Sequence, residues 1–439
     1  MTKEEKYKLA KKVVNHALEC GAQGVRAVIS DSRSNSISVR EEKIENLEQS
    51  IENGLSVHFY VDRRYSVHST NRLDNWDELD RFISEAIEGT RYLSEDEYRS
   101  LPDPDLYYKG GGPELNTFDD NFRTVDPQEK IDSAFAVEKE VLGRDERIIS
   151  VTASYNDGLN ETVMVTSNGF EGDRSNTYYG VSASVSVKED DARPSDGWHR
   201  SSLFYSKLDH EGIGTEALKR ALRKLGQAKI DSGNMPMIIE NRLAGQSLSP
   251  LIRALNGSAI QQKNSFLVDM LGEKVASGRL TITDDPFIVG GRGSGHFDNE
   301  GLALKKRTII ENGVLKNYYI DTYYGKKLDM KPTSGITTNL VFEPGDKNLE
   351  EMIAMLDRGI LVTGFNGGNC NGSTGDFSYG IEGFLVEKGK VVKPVSEMNI
   401  TGNMLDLYKN LAEVGNDVYE DAAWRTPSLQ FNNVSFSGK

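Results

Sequence analysis

The sequence predicts an α+β fold, with an N-terminal helix-and-strand domain over residues 1–232 and a β-rich C-terminal domain with a few helices over residues 233–439. Three observations carry this. Short period-2 runs cluster together between helical stripes instead of alternating with helices one by one, as a doubly wound parallel sheet would require. The order helix, several strands, helix occurs twice in the first half, as a duplicated unit would give, although the two copies are not visibly alike in sequence. Beyond Ser232-Gly233-Asn234 the chain turns glycine-rich and strand-rich. At roughly 150 residues per domain, 439 residues make two or three units.

Each element has a local reason. Thr2 and Glu5 have capping-box spacing, and Leu9, Val13, Val14, Ala17 and Leu18 form one helical stripe that Gly21 ends. Val25–Ile29, Ile37–Val39, Leu55–Val61 and Tyr65–Val67 read as strands, the last two joined by a hairpin at Asp62-Arg63-Arg64. Asn75 caps a second helix carrying Leu79, Phe82, Ile83, Ala86 and Ile87, and residues 93–125 read as a long irregular connection. Asp126 then caps and Pro127 opens a third helix. Strands follow at Ile148–Tyr155, around a turn at Asp157-Gly158, and at Thr162–Thr166, then at Tyr179–Val187; a helix over about 215–229 closes the unit. In the second half, helices are expected near Leu243–Leu255, Leu349–Leu356 and Leu405–Val414. Hairpins are expected at Asn312-Gly313 and Lys388-Gly389.

Composition excludes several functions. There are 52 Lys+Arg against 67 Asp+Glu, a net charge of −15, and no basic run long enough to follow a phosphate backbone, so direct nucleic-acid binding is not expected. Cys20 and Cys370 make no disulfide framework, the N-terminus carries no apolar signal core, and no apolar run spans a bilayer; a cytoplasmic protein without a membrane partner is expected.

Searches for chemistry return little. The only His-Glu pair, His210-Glu211, has no second ligand after it, and the other histidines are scattered. His58 and His68 flank one hairpin, where they face each other or lie on its solvated side. Gly290–Gly295 lacks the Lys-Ser/Thr of a phosphate loop, and His296 stands where a dinucleotide frame needs glycine. Cys370 sits in the glycine-rich loop Gly367–Gly372, with His296 the only histidine in its half. Asp376 stands between that loop and a strand entry, where it caps turn amides or holds a partner side chain. Asp284-Asp285 and Glu189-Asp190-Asp191 read as solvated turns.

Several ordered segments in the second half resemble the TldD/PmbA (TldD/TldE) family, proteins long labelled modulators of DNA gyrase. They are Lys263–Gly272, Phe297–Gly301, Asn366–Phe377 with Thr374-Gly375-Asp376, Gly383–Gly389, Pro394–Glu397 leading to Gly402-Asn403, and Gly415-Asn416-Asp417, spanning about residues 235–430. The TldD-like branch is similar to a zinc metallopeptidase with an H-E-x-x-x-H motif early in its C-terminal domain. Here the matching stretch reads Asn241-Arg242-Leu243-Ala244-Gly245-Gln246. Neutral amides bind Zn²⁺ poorly and a guanidinium cannot take a proton from water.

The resemblance therefore implies the PmbA/TldE-like branch: no catalytic residue and no metal in this chain, with zinc in a TldD-like partner. It further implies a heterodimer that degrades or processes unfolded or extended peptides. Gly291, Gly293, Asn366, Gly367, Gly368, Gly375 and Asp376 are the expected lining of a peptide or partner cleft, where strand addition would give sequence-independent binding. Two alternatives compete: a non-enzymatic protein that modulates a partner such as DNA gyrase or an antitoxin, and a stand-alone hydrolase using Cys370. Self-association is a further expectation.

Overall fold

The computed structural model describes all 439 residues and begins on the capped helix that the first residues specify. Thr2 and Glu5 make both halves of a capping box, and α1 (Lys3–Glu19) buries Ala10, Val13, Val14 and Ala17. Gly21 takes φ +98° just beyond it, a conformation that would strain any other residue. The strands β1 (Gly24–Arg40), β2 (Lys43–Val61) and β3 (Arg64–Thr70) and the helix α2 (Trp76–Thr90) complete a first half. The second half repeats that order with α3 (Pro127–Lys139), β4 (Ile148–Thr166), β5 (Glu171–Val187), β6 (Ser195–Ser202) and α4 (Ile213–Arg223). All six strands form one sheet in the order β3-β2-β1-β4-β5-β6, so each half supplies three adjacent strands and β1 pairs antiparallel with β4 across the join.

One face of this sheet carries all four helices. Val25, Ala27 and Ile29 pack with α1 and α2, while Ile37 and Val39 pack with α3 and α4; their shared parity puts them on the same side of β1. The opposite face receives the connection after α2 and part of the second half, where Tyr107, Met164, Phe170 and Phe297 form a small cluster.

Several expectations are corrected here. Val25–Ile29 and Ile37–Val39 are one 17-residue strand, and Asp157-Gly158 is no turn but the middle of the 19-residue β4. Asp157 points into the core and is fully buried. It is held by Lys130 Nζ at 2.6 Å, the Tyr155 hydroxyl at 2.9 Å and Asn35 Nδ2 at 2.7 Å. Gly158 leaves room for the Tyr178 ring, which a Cβ would meet at 2.1 Å. His58 and His68 neither face each other nor share a solvated side. His58 pairs with Val67 and His68 with Val57, so the two rings lie on opposite faces. Burial, with the Arg26 charge beside it adding to the effect, holds the His58 imidazole far below the usual range, at about 3.

The second half adds β7 (Gly233–Ile239), α5 (Asn241–Ala254), α6 (Gly257–Gln261), β8 (Ile282–Asp284), β9 (Arg307–Glu311), β10 (Val314–Leu315), α7 (Thr322–Leu328), β11 (Leu340–Phe342) and α8 (Leu349–Met355). It ends with β12 (Arg358–Cys370), β13 (Asp376–Glu387), β14 (Lys390–Asn403), α9 (Met404–Lys409), β15 (Leu411–Val414), β16 (Trp424–Arg425) and β17 (Leu429–Ser437). A five-stranded sheet runs β10-β9-β8-β11-β16. A six-stranded sheet runs β14-β13-β12-β7-β17-β15, and β14 also pairs with β17, closing that sheet on itself. Both glycine hairpins form as expected, with Asn312, Gly313, Lys388 and Gly389 all at positive φ. The helix expected over 405–414 stops at Lys409, because Leu411 and Val414 are taken into pairing with β17. Asp284, expected in a solvated turn, is 1% exposed. It bonds the Thr338 backbone and hydroxyl and pairs with Arg307 at 3.1 Å.

The main core of this β-rich half is a cluster of 42 buried residues, and a smaller one of 6 packs under α8. No helix is long and apolar enough to cross a membrane.

Candidate functional site

The strand β7 runs straight into α5 through Glu240, and α5 opens with Asn241–Gln246, the stretch that the resemblance sets against H-E-x-x-x-H. Asn241 is spent on structure: its Nδ2 donates to the Asp417 carbonyl at 2.6 Å, and its own carbonyl accepts from Thr426 Oγ1 at 2.8 Å. Gln246 lies on the exposed side of the helix without a side-chain hydrogen bond. No group of three or more His, Cys, Asp or Glu side chains is placed to hold a metal ion. The residues present do not fit zinc: one amide is tied to backbone, the other is in solvent, and a cation stands between them.

That cation, Arg242, is the centre of an assembly drawn from distant parts of the chain. Its guanidinium lies 3.5 Å from the Trp198 ring centre and 4.5 Å from that of Tyr419, and it donates to the His199 carbonyl at 3.1 Å. The Tyr419 hydroxyl meets His199 Nε2 at 3.0 Å. Burial pushes Arg242 below its ordinary pKa and does the same to His199, with Arg242 and Arg292 adding to the effect on the imidazole. Trp198, Arg242 and Tyr419 come from β6, α5 and the loop before β16, so no local pattern could have joined them. One signal was available: a first helical turn normally prefers acids, and α5 has none there but an arginine.

Arg292 extends the assembly into a groove of about 620 Å³ between the Gly290–Gly295 loop and strands β4 and β5 of the first sheet. Gly291 and Gly293 line it, and their small size is required by packing. A Cβ on Gly293 would lie 2.6 Å from the Thr338 carbonyl, and one on Gly291 2.6 Å from Ser294 Oγ. Asn339 holds the loop, accepting from Gly293 N at 2.9 Å and donating to Ser294 Oγ at 2.8 Å. His296 stacks on Tyr108 at 5.1 Å and is thereby part of this packing, not a partner for Cys370.

The other expected cleft residues lie elsewhere. Asn366, Gly367 and Gly368 are not in a loop but inside β12, where the register against β13 slips between Phe365 and Gly368. Gly368 has φ +114°, and a Cβ there would meet the Ser378 carbonyl at 2.2 Å; Gly367 has φ +83°. Valine at either position strains the hairpin whatever the function, so such variants do not report on a cleft. Gly375, at φ +80°, rests on Phe266. Asp376 opens β13 and accepts from Thr374 Oγ1 at 2.8 Å and Asn403 Nδ2 at 3.0 Å, which hold its exposed carboxyl below the usual range. None of residues 366–376 lines the groove. Burial pushes the Cys370 thiol up, opposite to what a nucleophile needs.

Asp298, beside the groove residue Phe297, gives a pH-dependent test. Burial raises its carboxyl from 3.8 to about 6, although the Glu300 and Leu302 amides donate to it at 2.8 and 3.0 Å. A raised acid makes the folded state bind the extra proton, so this group costs stability above about pH 6 and the cost fades as pH falls toward 4. Two units correspond to about 3 kcal/mol. Asp298→Asn therefore gains stability relative to wild type between pH 4.5 and pH 8, read as the difference in denaturation midpoints. A difference that does not change with pH contradicts it.

Three family models match in order: PmbA/TldA metallopeptidase domain 1 over residues 25–89, the central domain over 120–225 and the C-terminal domain over 232–438. The metalloprotease PmbA homolog of Haemophilus influenzae is 30% identical over 430 residues, covering 97% of this chain and 94% of its own. The metalloprotease PmbA of Escherichia coli O157:H7 is 29% identical, covering 99% and 98%. Among solved structures, a Bacteroides thetaiotaomicron protein described as a candidate modulator of DNA gyrase superposes with a TM-score of 0.98 at 50% identity over all of both chains. TldE of Thermococcus kodakarensis shares the fold, with a TM-score of 0.86 at 22% identity over 98% of this chain and all of that one. By the order and extent of these matches, the chain belongs to the TldD/PmbA metallopeptidase family.

Proposed function

We propose that this chain is the PmbA/TldE-like, non-catalytic subunit of a cytoplasmic two-component zinc peptidase. Its partner is a TldD-like homologue that carries H-E-x-x-x-H and the zinc, and the assembled pair hydrolyses unfolded or extended peptides. The observation that carries this reading is Arg242. It stands where the metal-bearing branch has its glutamate base, is stacked between Trp198 and Tyr419, and leaves neither a ligand set nor a proton acceptor. The groove that Arg292 lines is open to an extended chain.

The isolated chain, dialysed against zinc and then freed of excess, is expected to retain no stoichiometric zinc and to leave an unfolded casein-like substrate intact. One zinc per chain together with hydrolysis by the chain alone would overturn the reading.

A second reading is a purely binding protein that acts on a topoisomerase or an antitoxin, favoured by the description carried by the 50% identical structure. It differs in requiring no peptide hydrolysis in any mixture. Its contact would be with protein, since a net charge of −15 repels a nucleic-acid backbone.

A further inference from the structure

Arg292, which lines the groove, and Arg242, whose charge with it reaches both His199 and Tyr419, have no carboxylate of their own. Arg242 forms one side-chain hydrogen bond, to the His199 carbonyl, out of the five donors a guanidinium offers. Arg292 forms none, and its Nη2 is buried without a partner. The neighbouring acids are already engaged. Glu240 is held bidentately by Arg220 at 2.6 and 3.2 Å, Asp196 by Arg220 and Lys224, and Asp417 by the Ser428 amide and hydroxyl. Asp421 is the one carboxylate whose field reaches both arginines, and it is exposed and forms no ion pair with either. Two partly buried cations against one solvated anion leave a local excess of positive charge in a protein whose net charge is −15. Burial pushes both guanidiniums below their ordinary pKa, and the fields of Tyr419 and Asp421 offset that only in part.

The geometry is also set in advance. Trp198 and Tyr419 clamp the Arg242 plane from 3.5 and 4.5 Å, so its fork loses little freedom on binding. Arg292 is carried on a loop that Asn339, itself fully buried, fixes by bonds to Gly293 and Ser294. Arg242 also occupies the positive end of α5, a 14-residue helix whose first turn holds no acid. Farther along the groove the charges are spoken for: Arg174 donates to Asn299 Oδ1 at 2.7 Å, and Asp173 takes Lys3 and the Tyr7 hydroxyl.

We propose that Arg242 and Arg292, with the Tyr419 hydroxyl and His199 beside them, form a receptor for a peptide carboxylate. The chain has thus replaced a catalytic position with an anchoring one: the peptide lies in the groove and its carboxylate is gripped by the two arginines. This rests on the peptide-handling reading above and goes further, by assigning this chain its own part in choosing substrate. The carboxylate has two sources, a peptide C-terminus or an Asp or Glu side chain.

The test uses the full chain and three fluorescent hexapeptides of one neutral sequence: the free acid, the C-terminal amide, and the amide with a single internal Glu, followed by anisotropy at low salt. The free acid or the Glu-bearing amide is expected to bind at least about tenfold more tightly than the plain amide, the scale of one charge-assisted bidentate contact. Whichever of the two gains affinity identifies the source. Arg242→Gln and Arg292→Gln should each remove most of that gain. Arg292→Lys, which keeps the charge on the loop, should retain part of it. Equal affinity for all three peptides, or a preference that survives in the Arg242→Gln/Arg292→Gln double variant, overturns the receptor. Either result leaves the subunit reading standing, since that reading is decided by zinc and hydrolysis and not by which peptide end is held.

Discussion

Replacing Lys130 with alanine is expected to lower the thermal midpoint of the N-terminal sheet by roughly 6–12 °C, the equivalent of about 3 kcal/mol in a unit of that size. The ammonium sits 2.6 Å from Asp157, whose side chain is wholly buried in the middle of β4. Without it, the carboxylate keeps only the Tyr155 hydroxyl and the Asn35 amide, which are dipoles and not a countercharge. The loss measures an uncompensated buried charge, not the value of the ion pair itself. The double variant Lys130→Met/Asp157→Leu should therefore recover much of the stability. Equal losses in the single and double variants would mean that α3 packing, and not charge, was disturbed. The check is a pair of thermal melts followed by circular dichroism.

Replacing Arg307 with methionine is expected to cost more, about 3–5 kcal/mol for the stranded charge, with further loss from carbonyls left unbonded. Arg307 binds Asp284 through Nε at 3.3 Å and Nη2 at 3.1 Å, and also donates to the carbonyls of Thr333, Ser334 and Ile336. Asp284 in turn fixes Thr338, which packs against Gly293. One substitution thus loosens both the five-stranded sheet and the loop that carries Arg292. The expected readouts are a low yield of soluble protein, a depressed midpoint in whatever remains, and loss of any carboxylate preference. Arg307→Lys should be intermediate, because it restores the charge without the fork. A soluble Arg307→Met protein with an unchanged midpoint contradicts the assignment of Asp284 as a buried, dependent anion.

These two pairs also mark where the sequence was silent. Helix ends were legible because their causes are local: Thr2 with Glu5, Asn75, and Asp126 with Pro127 each act within one turn. The long strands were broken into fragments because their inward positions turn polar midway. Asp31, Arg33 and Asn35 occupy the core-side register of β1 between Ile29 and Ile37, so the apolar alternation stops and restarts. Across the strands and helices, Lys6 reaches Asp31 at 3.7 Å and Glu161 at 3.0 Å, and Lys130 reaches Asp157. A polar seam therefore runs through the sheet between the two helix pairs, and only distant partners make it tolerable.

The site followed the same rule. Substitution of the metal-binding stretch was visible at Asn241, Arg242 and Gln246 because those residues are contiguous. What Arg242 gathers was not, since Trp198, Arg292 and Tyr419 are separated from it by tens to hundreds of residues. Asn366–Gly368 misled for a different reason. Glycine and asparagine mark a bulge inside a strand as readily as a loop, and the backbone positions that need positive φ are alike in both.

The central claim is that this chain contributes no metal chemistry and becomes part of a peptidase only through its partner. The measurement that tests it most directly is hydrolysis of an unfolded fluorescent polypeptide by this chain alone, by its H-E-x-x-x-H-bearing homologue alone, and by the two mixed, each with and without chelator. Adding this chain to the homologue is expected to produce chelator-sensitive hydrolysis that this chain alone lacks. Chelator-resistant hydrolysis by the isolated chain, or a mixture no more active than the homologue by itself, would contradict it.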